Sequence, residues 1–372
     1  MRIERVELFE LRLPLKRAYE TSGSRETHQT RVIARIEAEG IVGWGESVAP
    51  ETPWYSGETP ETVWWLLDEI AIPRLLAKDL AYPNDVSAVL GWIKDHRMAK
   101  ATLEMAVWDL FAKAAGVPLA KMLGGTRDRI LCGVAIGIQP TVEELLERIA
   151  TELEGGYQRV KVKIKPGWDA RIAEAIRNRF PDLPFQLDAN SAYTLEDVKL
   201  FKRMDAYTPL LVEQPLAEDD IIDHAALQKQ ILTPVCLDES IHSAEDARKA
   251  IDIGATRVIN IKAGRVGGLA EAKRIHDVCA DREIPVWCGG MLEMGIGRAA
   301  NVHLASLPNF RLPGDVSASA RYFDTEIIEE PFTVSQKDGT MKVPTGPGIG
   351  VTVREDLIRK IALQTKEYRP ER

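Results

Sequence analysis

The chain has 372 residues, 45% hydrophobic, 28% charged and 6% aromatic, with a net charge of −8, which is the make-up of an ordinary globular fold with room for a large α/β domain and a smaller companion. The acidic balance and the lack of any long basic run argue against nucleic acid as a partner. No stretch stays apolar for the roughly 18 residues a membrane span needs, which argues against a membrane protein.

The opening "MRIERVELFELRLPL" alternates charged and apolar residues where a signal peptide needs an unbroken apolar core, so a cytoplasmic protein is expected. Cys132, Cys236, Cys279 and Cys288 form no CxxC pair and read as small buried residues in a reducing compartment. The six histidines are dispersed without an HExxH motif, so any metal here must be held by oxygen ligands.

In chain order, the first part carries two Gly/Ser/Thr-rich stretches, "YETSGSRET" (19–27) and "PETPWYSGET" (50–59), which read as loops able to act as a lid. From Cys132 onward, short β-branched runs recur, each followed by an amphipathic segment: "CGVAIGI", "VKVKI", "PFQLDAN", "LLVEQP", "PVCLDES", "VINIKAG" and "PVWCGG". Strands alternating with helical patterns signal βα units around a parallel sheet. In "RVKVKIKPGWD" (159–169), Lys161, Lys163 and Lys165 occupy alternate positions and so share one face of a strand. That face is either an ordinary solvated edge or a row of cations aimed at a site.

Lys163, Asp188, Glu213, Asp238 and Lys262 stand at or just past the carboxyl ends of five consecutive runs, at spacings of 25, 25, 25 and 24 residues. In a closed (β/α) barrel those ends converge on one rim, where active sites lie. Taken singly, each acid reads equally well as a helix N-cap. Repeated at one phase of successive units, buried charges must compensate one another or bind an ion. Three carboxylates without histidine suit Mg²⁺ or Mn²⁺.

The motifs "VKVKIKPGWD", "LDANSAYTLED", "VEQPL", "LDESI", "NIKAGRVGGL" and "CGGMLEMGIGRAANVHLASLPNF", in this order, resemble the enolase superfamily and its muconate-lactonizing subgroup. So do "TLEMAVWDLFAKAAGVPLAKMLGG" and "PTGPGIGV". Within the subgroup the chain resembles the o-succinylbenzoate synthase/N-succinylamino acid racemase enzymes. The resemblance implies an α/β fold: a (β/α)7β TIM-like barrel over about 126–320, capped by an α+β domain of about 1–125 that is completed by about 321–372. It implies one divalent metal on Asp188, Glu213 and Asp238, acid/base roles for Lys163 and Lys262, and contact of Lys161 with the carboxylate of a small-molecule substrate. Assembly into a homo-oligomer is a further expectation from the family.

The shared chemistry of such enzymes is removal of a proton next to a carboxylate, with a Lys base beside Mg²⁺. Lys161 beside Lys163 disfavours a second ammonium while the carboxylates favour it, and a neutral Lys163 is the expected general base. Lys262 either returns the proton to the opposite face, as in a racemase, or stays protonated and stabilises an enediolate, as in a dehydration.

Asn190 and Glu239 resemble groups that orient ligands and lysines, with turn or capping roles as the alternative. Arg265 either tunes Lys262 or lies on the surface. Gly290, Met291 and Leu292 are expected against the substrate, with core packing as the alternative for the last two. "TSGS" departs from the "TSFG" form associated with the family. The region "PVWCGGM" has no histidine to serve as second base, and "LPGDVSAS" offers Asp315 without the paired aspartate that holds a substrate ammonium. A muconate cycloisomerase, a dipeptide epimerase and a noncatalytic metal-binding scaffold are the alternatives.

Overall fold

The computed structural model describes residues 1–370. Strands β1 (Arg5–Glu20), β2 (Arg25–Ala38) and β3 (Ile41–Glu46) form an antiparallel meander. The last strand of the chain returns to pair with β1, Val6 opposite Tyr368. The tail therefore joins the N-terminal sheet.

Against β3 lies the helix Arg97–Ala114, buried over most of its length. Its approach depends on glycine. A Cβ on Gly43 would strike the Ala106 carbonyl, and one on Gly45 the Thr102 carbonyl. With hydrogen in place of side chain, strand and helix backbones meet directly.

After β4 (Arg129–Leu131), which lies outside it, the second sheet contains β5 (Val134–Ile136), β6 (Val160–Lys163), β7 (Phe185–Asp188), β8 (Val212–Glu213), β9 (Val235–Leu237), β10 (Val258–Ile261) and β11 (Val286–Cys288). All seven are parallel and pair in chain order. Helices cross between successive strands, begun by side chains such as Thr141 and Ser243 that accept from the first-turn amides. The strands are buried on both faces, as parallel strands under helices must be. The sheet curls: Phe310 bridges to Val286 at one edge and Gly314 to Cys132 beside the other.

The burial of β6 excludes the solvated reading of its lysines. Lys161 and Lys163 point into the sheet's interior, while Lys165 lies past the strand end and pairs with Glu20 at the surface, 3.2 Å away. All four cysteines are free and buried. Among the described residues no helix is long and apolar enough to cross a membrane.

Buried carboxylates hold the two sheets together. Glu46, at the end of β3, accepts the amides of Met294 and Gly297 at the start of the helix Gly295–Leu304, each at 2.7 Å. Glu104 accepts those of Leu269 and Ala270 at the start of the helix Leu269–Asp281, at 2.7 and 2.8 Å. Each supplies a distant helix with the N-terminal acceptor its own sequence lacks.

Candidate active site

Period two along the strands builds the site. Lys161 and Lys163 on β6, Gln186 and Asp188 on β7, and Asn260 and Lys262 at the end of β10 share the inward phase. Register then sets neighbours: Lys163 lies beside Asp188, and Asp188 beside Glu213. The five charges spaced along the sequence are thus on one rim.

Asp188, Glu213 and Asp238 are completely buried. None caps the helix that follows; Thr194, Asp220 and Ser243 begin those elements. Their partners are ammonium and guanidinium groups. Lys161 Nζ stands 2.8 Å from both Asp188 and Glu213 and 2.9 Å from Asp315. Lys163 Nζ donates to Asp188 and to Asn190 Oδ1, each at 2.6 Å. Lys262 Nζ donates to Asp238 at 2.7 Å and to the Tyr55 hydroxyl at 3.1 Å.

Burial raises the Asp188 and Asp238 carboxyls, but Lys161 and Lys163 in one case, and Lys262 and Arg265 in the other, more than offset it and hold both below the usual range. Glu213 is held well above that range by burial and by the Asp188 and Asp238 carboxylates. For Lys163, burial, the largest influence, and Lys161 lower the ammonium's pKa, while Asp188, Tyr19 and Glu213 raise it, and the net direction is upward. In the protein without a divalent ion, this direction runs against the expected neutral Lys163.

Asn190 is oriented by Glu239, to which its Nδ2 donates at 2.7 Å, and φ of +44° turns its side chain back toward Lys163. Arg265 is not on the surface. It is 2% exposed, pairs with Asp238 and donates to the carbonyls of Ile241 and Asn260. Gly290, Met291 and Leu292 line the cavity beside the lysines, and the two side chains also pack against core residues. Met291 and Leu292 thus belong both to the cavity wall and to the packing around the core.

Asp315, which the sequence offered only as lacking a paired aspartate, is buried between Lys161 and Arg159, the latter at 2.6 Å. Sequence reasoning missed several other groups. Asn260 donates to Glu213 at 2.7 Å; its position two residues before Lys262 was the available signal. Tyr55, from the 50–59 loop, donates to Asp238 at 2.9 Å. Arg31 binds the Met291 carbonyl at 2.6 Å. The loops expected over the site meet each other: Trp54 packs on Gly23 and donates to Glu26 at 3.2 Å.

Among the described residues no three acid, histidine or cysteine groups converge as a ready-made metal cluster, and lysine ammoniums stand among the carboxylates. The donor set nonetheless suits a hard divalent cation: oxygen only, from three adjacent strand ends, with Glu213 crowded by its neighbours' charge.

Two family models match the chain: "Mandelate racemase / muconate lactonizing enzyme, N-terminal domain" over residues 3–124 and "Enolase C-terminal domain-like" over 144–357. The chain belongs to the enolase superfamily. It is 51% identical over 352 residues to an o-succinylbenzoate synthase of Geobacillus kaustophilus, covering 94% of this chain and 93% of the relative. It is 47% identical over 363 residues to an N-succinylamino acid racemase of Thermus thermophilus, covering 98% of each. A solved enolase-superfamily structure from Listeria innocua superposes over the whole of both chains with a TM-score of 0.96 at 42% identity. Its relatives within the superfamily include o-succinylbenzoate synthases and N-succinylamino acid racemases.

Proposed function

We propose that this protein removes the proton next to a substrate carboxylate with Lys163 and Lys262 as acid/base pair. The outcome is dehydration to o-succinylbenzoate in menaquinone synthesis, racemisation of N-succinylamino acids, or both. The observation that carries this is the presence of two buried lysines, at the ends of β6 and β10, in the wall of one cavity.

In this reading Asp188, Glu213 and Asp238 hold one Mg²⁺ or Mn²⁺. That ion supplies a positive centre for the substrate carboxylate and for the charge that develops as the proton leaves. Lys161 adds a second cation to the same oxygens. Lys163 in its neutral form takes the proton, its Nζ aimed by Asn190, which Glu239 orients in turn. Lys262 returns it on the other face in the racemase, or stays protonated in the dehydration; Asp238 and Tyr55 hold it in place. Met291 and Leu292 supply apolar wall to the cavity. The proposal includes a closed (β/α)7β barrel over about 126–320, a cap of about 1–125 completed by 321–372, and a homo-oligomeric assembly.

Proton NMR of N-succinylphenylalanine in D₂O with enzyme and Mg²⁺, followed alongside optical rotation, tests the racemase half. Loss of the α-proton signal with racemisation is expected. No exchange from either enantiomer would remove that half and leave dehydration. Stripping divalent ions with a chelator is expected to lower turnover at least about 100-fold, with Mg²⁺ or Mn²⁺ restoring it. Full activity in the stripped protein would defeat the metal assignment.

A further inference from the structure

A second cavity lies behind the wall of the first. Tyr19 and Tyr322 line both. This second cavity, of about 70 Å³, is also lined by Arg17, Arg148 and Arg321. That volume is enough for a carboxylate or a few waters.

The geometry follows from an irregularity in β1. Its pairing with β2 breaks between Pro14 and Tyr19. Within the break, the Lys16 amide donates instead to the Tyr322 carbonyl at 2.9 Å. This carries Arg17 to Arg321.

Two of the guanidiniums are fixed. Arg321 donates to Glu152 at 3.0 Å and to the Ala135 carbonyl at 2.9 Å, and lies over the Tyr322 ring at 5.1 Å. Arg148 pairs with the same Glu152 at 2.5 Å. One carboxylate therefore serves two cations, and Arg17, which is exposed, makes no ion pair or side-chain hydrogen bond among the described residues. Burial pushes Arg148 below its usual range; Glu152 opposes this, while Arg321 and Arg17 add to it. The cations crowd one another. On a chain of net charge −8 this is a local positive mouth next to the catalytic cavity.

We infer that Arg17, Arg148 and Arg321 form an anion-docking vestibule that receives a dicarboxylate substrate on the outer side of the Tyr19–Tyr322 wall before it enters the catalytic cavity. The proposed reaction supplies only the substrate: its second carboxylate, away from the reacting carbon, is the group the arginines meet. Clefts lined by one sign of charge raise local ligand concentration and association rate, and salt weakens both. Charge reversal at the exposed Arg17 should therefore act through association.

The test compares unmodified enzyme, Arg17→Gln and Arg17→Glu, with Lys78→Glu as a distant control of equal charge change. Turnover of N-succinylphenylalanine is measured at about 0.01 M and about 1 M NaCl, where the Debye length is about 30 Å and about 3 Å. Arg17→Glu is expected to lower kcat/KM by about 3- to 10-fold at low salt, through KM, with Arg17→Gln intermediate and the difference gone at high salt. Values equal to the control at low salt, or a loss that persists at high salt, would overturn the inference. Calorimetric titration of malonate into the same full-length proteins at low salt reads the vestibule without turnover. Binding at least about threefold weaker in Arg17→Glu supports it, and equal binding overturns it. If unmodified enzyme leaves N-succinylphenylalanine unchanged, the proposed racemase reaction fails and the malonate comparison alone decides.

Discussion

Replacing Lys163 with alanine is expected to lower racemisation of N-succinylphenylalanine by about 100- to 10,000-fold, the range set by a positioned general base. Nothing else replaces it: Lys161 is engaged by three carboxylates, and Asn190 has no proton-accepting nitrogen. Lys262→Ala should lose racemisation to a similar extent. If each lysine serves one face, the two variants retain α-proton exchange with opposite enantiomers, read by NMR in D₂O. Racemisation within tenfold of the unmodified rate in a folded Lys163→Ala protein would show that the base lies elsewhere.

Glu104→Ala is expected to destabilise the fold by about 3 to 5 kcal/mol, measured as a lower urea midpoint. The buried carboxylate accepts three N–H groups, the Leu269 and Ala270 amides and the Trp108 indole at 2.7 Å, and alanine removes the acceptor of all three. A change below about 1 kcal/mol would mean that water or a backbone shift satisfies those donors. The pH dependence has a definite sign. Burial pushes the Glu104 carboxyl up from 4.5 to about 7, despite the three donors. A folded pKa above the unfolded one gives a contribution that is fully present below about 4.5, declines as pH rises, and is gone above about 7. Glu104→Gln, which cannot ionise, should show a flatter stability profile over that window. An unchanged profile would show that Glu104 is not the group responsible.

The parts of the site legible in the sequence are those that obey a short-range period. Alternation along β6 put Lys161 and Lys163 on one face, and the near-constant length of a βα unit brought five strand-end charges to one rim. Lys165 obeyed the same alternation but lies beyond the last paired residue, where the face it continues no longer exists. Asn260 was open to the same parity argument as Lys262 and was overlooked.

Composition, periodicity and ordered motifs by themselves determined the parallel sheet, the oxygen-rich rim, the candidate lysines and the family resemblance, because strand alternation and unit length are properties of neighbouring residues. Only the tertiary structure decided that Arg265 is buried on Asp238, that Asp315 sits between Arg159 and Lys161, and that Glu46 and Glu104 begin helices some 250 and 165 residues away in the chain. It also decided the direction of the Lys163 shift, since burial and Lys161 pull one way and Asp188, Tyr19 and Glu213 the other. Such contacts join groups with no fixed separation along the chain. They exist because removing a charge from water is tolerable only beside a partner, and which partner is near depends on how the sheets pack.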